Sequence, residues 1–147
     1  SLYSCFVRNY NTARVEYWKY DDLCNIVRKS GLSGACGIVD LDALDYNISF
    51  FKERAELTKK KVRIATKSIR VPDLIEYIGI HGGEYFHSLM CYNIFEANLL
   101  SKYSIFNDIL LAYPIYSENE VSLACEMNVR HLLDENLHPI HVTLMVD

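Results

Sequence analysis

The chain has 147 residues, half of them hydrophobic and 23% charged, with 6 Gly and 3 Pro, which excludes a disordered segment and suits one domain with a real core. A net charge of -4 and a pI near 5.7 argue against nucleic acid as the main partner. The five cysteines (Cys5, Cys24, Cys36, Cys91, Cys125) lack CxxC spacing and read as reduced thiols of a cytoplasmic protein, and no apolar run or signal-like start argues for a membrane or secretory route.

Along the chain, helix and strand signals alternate. Residues from about 11 to 30 carry a helical pattern that Gly31 stops. A loop of small residues at 33–37 leads into a short extended segment, 35–41, ending in Asp40-Leu41-Asp42. Asp42 is expected to cap a helix over residues 43–60, with Leu44, Ile48, Phe51 and Ala55 at helical spacing. Lys59-Lys60-Lys61 closes it, where cations suit the helix dipole. Strands are expected at 62–67, 85–91, 109–113 and 140–146, and helices at 73–80, 94–102 and 118–126. Gly82-Gly83, Pro114 and Pro139 punctuate them. This alternation predicts right-handed βαβ units and a parallel sheet.

Chemistry concentrates in Val62-Arg63-Ile64-Ala65-Thr66-Lys67-Ser68-Ile69-Arg70. Its alternation suits a strand that runs straight into Lys67. A lysine at the carboxyl end of a parallel strand sits where α/β sheets bind ligands, and lysine is the residue that joins an aldehyde cofactor as a Schiff base. That chemistry needs desolvation or positive charge close by. Arg63 and Arg70 are the candidates, since positions 63, 65 and 67 share a face if strand alternation holds and Arg70 follows the strand end.

Asp40-Leu41-Asp42-Ala43-Leu44 with Asn47, then Val62 to Arg70, then Leu111-Ala112-Tyr113-Pro114, together resemble the N-terminal half of an alanine racemase-like barrel. Within that superfamily the closest resemblance is to the pyridoxal-phosphate-dependent amino-acid aldolases and racemases of the D-threonine aldolase type. The surround Ala65-Thr66-Lys67-Ser68-Ile69-Arg70 is similar to that family's strand end and differs from the form found in alanine racemases proper. The resemblance implies an α/β fold: the first half of a TIM-type (β/α)8 barrel over residues 35–147; residues 1–34, which it does not cover, read by their own pattern as a helical extension. A closed barrel needs eight strands and about 250 residues. The expectation is therefore half a barrel, with the phosphate loops and a metal-bearing C-terminal β domain absent. By the same resemblance Lys67 carries pyridoxal 5'-phosphate, while Arg70 and Tyr113 stand where they can touch it.

Each candidate has an ordinary alternative. Lys67 and Arg70 also read as solvated side chains, and Tyr113 equally as core packing. Asp40 and Asp42 resemble a carboxylate pair, yet Asp42 is better explained as a helix cap. His138 and His141 are expected on opposite faces of a strand, and His81 and His87 fit no ligand spacing, so no metal site is assigned within the chain. The implied function is a pyridoxal-phosphate enzyme acting on amino acids through a Schiff-base lysine, by aldol cleavage of a β-hydroxy amino acid, racemisation or dehydration. The expected assembly is a homodimer without nucleic-acid or membrane partners. The alternatives are a non-catalytic pyridoxal-phosphate homeostasis protein and an inert fragment.

Overall fold

The computed structural model describes residues 3–7 and 20–145. The chain forms two compact units, Ser1–Phe50 and Phe51–Asp147. In the first, β1 (Tyr3–Val7) pairs in parallel with β2 (Cys36–Asp40), Tyr3 opposite Cys36 and Val7 opposite Asp40. Between them in sequence lies α1 (Tyr20–Ser30), with Asp21 and Asp22 in its first turn and Arg28 and Lys29 in its last, matched to the helix dipole. Gly31, at φ 70°, follows it in the left-handed region that glycine tolerates best. The N-terminal segment thus carries a strand as well as a helix. The rest of the helix expected from residue 11 lies outside the described residues.

Helix α2 (Leu41–Thr58) begins directly after β2. Its cap is Asp40, not Asp42: the Asp40 Oδ1 accepts hydrogen bonds from the backbone N–H of Asp42 at 2.9 Å and Ala43 at 3.1 Å. As the last residue of an extended strand, Asp40 can aim its carboxylate at those two donors. Asp42 already lies within the first helical turn, where its charge still suits the dipole. The helix also stops before the lysine run. Lys59 turns left-handed at φ 53°, so Lys59-Lys60-Lys61 follows the helix rather than closing it.

The second unit is a mixed α/β arrangement around a parallel sheet, ordered β3 (Arg63–Ala65), β4 (Ser88–Cys91), β5 (Asp108–Leu111), β6 (His141–Thr143). Helices α3 (Pro72–Gly82), α4 (Ile94–Leu100) and α5 (Glu118–Leu133) connect the strands in turn. Sequential order with right-handed crossovers carries every connecting helix to the same face. The register agrees. Ile64, Leu89, Ile109 and Val142 share a row and are all buried, with Ile75, Ile94, Leu100, Phe106 and Met127 completing that core. The adjacent row, Arg63, Ser88, Asp108 and His141, belongs to the opposite face.

The strands are shorter than their sequence signals. Gly83, at φ 66°, ends α3, and Gly83–Phe86 winds into a 3-10 turn, so the strand expected from residue 85 starts at Ser88. β5 ends at Leu111, before Tyr113. Helix α5 opens on a reciprocal cap, with Ser117 Oγ accepting from the Glu120 N–H at 3.2 Å and the Glu120 carboxylate accepting from Ser117 N–H at 3.4 Å. It runs on to Leu133, well past the expected end. Among the described residues, no helix is long and apolar enough to cross a membrane.

Candidate functional site

Lys67 does not stand on the strand. β3 ends at Ala65, and Thr66–Ser68 forms a 3-10 turn that holds Lys67 just beyond the sheet's carboxyl edge. Thr66 anchors the turn: it is fully buried, and its Oγ1 donates to the Met90 carbonyl of β4 at 3.1 Å. The backbone N–H groups of Ile69 and Arg70 both bond back to the Thr66 carbonyl, at 3.0 and 2.9 Å. Arg70 takes the left-handed region at φ 55°, which a non-glycine residue occupies only where its surroundings hold it there. Its Nε donates to the Lys67 carbonyl at 3.0 Å. The turn thereby fixes Arg70 beside Lys67, and both side chains are exposed.

Lys67 and Arg70 line a cavity of about 520 Å³. Pro72 and Ile75 of α3 form one wall. The facing wall is the β4–α4 loop and α4 itself, contributing Tyr92, Asn93, Glu96, Leu99 and Leu100. Asn93 caps α4 by accepting from the Glu96 N–H at 2.9 Å, and the Glu96 carboxylate reaches back to accept the Tyr92 N–H at 2.7 Å. This reciprocal pair holds a carboxylate and an aromatic ring on the cavity wall. The cavity therefore combines one amine, one guanidinium, one carboxylate and an apolar lining. That is the composition of a small-molecule site.

Tyr113 lies outside the lining but packs against Tyr92, ring centroids 4.9 Å apart and planes inclined by 56°. It touches the site through that ring and is itself half exposed. Arg63 does not join Lys67. The alternation that would carry position 63 toward position 67 breaks in the 3-10 turn, and Arg63 is engaged at the strands' amino end. There it clasps Asp108 of β5, Nη2 to Oδ2 at 2.6 Å and Nη1 to Oδ1 at 3.1 Å, while Nη1 also donates to the Leu89 carbonyl at 3.0 Å. Ser88 donates to the same Asp108 carboxylate at 3.1 Å.

Cys91 is fully buried, and burial together with the Glu96 charge pushes its thiol up to about 12, against a hydrogen bond with Thr66. It packs rather than reacts. His138 and His141 were expected on opposite faces of one strand. His138 instead precedes β6, and both line a shallow cleft with Ser104 and Asn107. Among the described residues no three His, Cys, Asp or Glu side chains converge as metal ligands would.

Tyr92, Asn93 and Glu96 escaped the sequence reading. The signal was present as Asn93-x-x-Glu96, a capping pattern directly after a strand, in the loop that shares the sheet's carboxyl edge with Lys67. Comparison with protein-family models, with curated proteins and with solved structures gives no significant match.

Proposed function

We propose that this chain binds pyridoxal phosphate through Lys67 and serves an enzyme that transforms amino acids. The observation that carries the reading is the pairing of Lys67 with Arg70 on one rigid turn at the sheet's carboxyl edge, opening on a single cavity. The side chains fit the cofactor. Lys67 offers an amine for the aldehyde, Arg70 a guanidinium for the phosphate, and Tyr92 with Leu99 an apolar surface for the ring. The volume falls within the range of about 300–1,000 Å³ typical of small-molecule sites. When bound, the cofactor supplies an electron sink for negative charge at a substrate α-carbon. The chain's own part is to hold and orient: the Thr66 anchor fixes the turn, Arg70 sets charge beside Lys67, and the Asn93–Glu96 pair keeps a carboxylate on the facing wall.

The sequential, all-parallel strand order with its helices on one face supports the finer reading of this unit as half of an alanine racemase-like barrel. Borohydride reduction after incubation with pyridoxal phosphate, followed by peptide mass mapping, tests the reading. The label is expected on Lys67, absent in Lys67→Ala and retained in Lys61→Ala. A label on another lysine, or none, refutes it. Turnover of D-threonine or of a panel of D- and L-amino acids then separates an enzyme from a non-catalytic carrier.

A further inference from the structure

The outer edge of β6 is closed by a side chain. His141 donates its N–H to the Asn107 carbonyl at 2.8 Å, so that residue faces β5. In a parallel strand the next residue's N–H and C=O point the other way, which puts those of Val142 on the outer edge. Both are taken by Asn128 of α5: its Oδ1 accepts from the Val142 N–H at 2.9 Å, and its Nδ2 donates to the Val142 carbonyl at 3.3 Å. The same Nδ2 donates to the Ala124 carbonyl at 2.9 Å, one helical turn back, which orients the carboxamide. The amide thus presents to β6 the donor and acceptor that a fifth strand would present. β6 spans only His141–Thr143, so Val142 supplies the one pair of outward backbone groups within it.

We infer that the Asn128 carboxamide is an edge plug that keeps β6 from pairing with the β6 of a second copy of this chain. Exposed strand edges are templates for such pairing, and proteins blunt them with dedicated side chains. The plug is independent of the cofactor reading; were a barrel to continue beyond β6, its next strand would have to displace Asn128 from this edge.

Two variants test it by sedimentation velocity across a concentration series. Asn128→Leu removes both hydrogen bonds while keeping an apolar side chain of similar size, and should raise self-association at least tenfold over the wild type. Asn128→Lys removes the same bonds but sets a charge at the edge, and should remain at the wild-type level. No change in Asn128→Leu overturns the inference. Equal association of both variants also overturns it, because loosening of the fold rather than edge pairing would then be the cause. Should Asn128→Leu not fold, hydrogen exchange of the wild-type protein decides. A Val142 amide as slow as that of His141 supports the plug, and one exchanging like an unbonded surface amide refutes it.

Discussion

Gly79→Ala sets two effects of opposite sign against each other. Gly79 lies inside α3, where alanine is favoured over glycine by about 1 kcal/mol on helix propensity alone. Here a β-carbon would lie 2.6 Å from Ile105 Cδ1, and 2.8 and 2.9 Å from Phe106 Cε1 and Cζ. Carbon atoms settle at about 3.5–4.0 Å, so both neighbours must retreat. Ile105 is only half buried and can swing its terminal methyl away. Phe106 is completely buried, in a core shared with Leu89 and Ile109, and its ring cannot move without displacing that core. Overpacking of this kind costs about 1–3 kcal/mol. The net expectation is a loss of up to about 2 kcal/mol, since the steric cost exceeds the propensity gain. Urea unfolding should show a lower midpoint at unchanged slope. Phe106→Leu trims the ring, so the double variant should lose less than the two single losses combined. A Gly79→Ala protein as stable as the wild type, or more so, would refute the packing account of this glycine.

The Arg63–Asp108 clasp is one-third exposed at each side chain, which limits its worth. A double-mutant cycle with Arg63→Met and Asp108→Asn should give a coupling of about 1 kcal/mol, the upper part of the range for partly exposed pairs because the geometry is bidentate. No coupling would mean that the clasp adds nothing to joining β3 with β5. Cys91 imposes a pH dependence of definite sign. Its thiol is raised from 9.0 to about 12, chiefly by burial. Below pH 9 it is protonated in both folded and unfolded states and contributes no slope. Above that the unfolded state gives up its proton first, so stability should fall as pH rises from about 9 toward 12, by up to about 1.4 kcal/mol per pH unit. Cys91→Ala should flatten that decline, and an unchanged decline would assign it to other groups. In native protein the exposed Cys125 should alkylate readily while Cys91 reacts only on unfolding.

What was legible in the sequence was whatever rests on neighbours along the chain. Helices announced themselves by apolar spacing and by stops such as Gly31 and Gly83, and β4 and β5 by apolar runs, so the parallel alternation could be read directly. Strand ends were less legible, because turn geometry overrides side-chain pattern there. Thr66 looks like one more strand residue, yet burial of its hydroxyl against Met90 bends the chain into a 3-10 turn and moves Lys67 off the strand. Asp42 looks like the helix cap because helical spacing begins after it, but Asp40, already in the strand, takes the N–H groups of Asp42 and Ala43, so the helix starts earlier. Nothing local marks β1, whose pairing with β2 joins segments more than thirty residues apart. The clasp links positions 45 apart, and the plug on β6 links positions 14 apart. Asn128 shows the distinction most sharply. In sequence it is an ordinary polar residue of α5; only the register of β6 against β5, which turns the Val142 backbone outward, gives its carboxamide something to close.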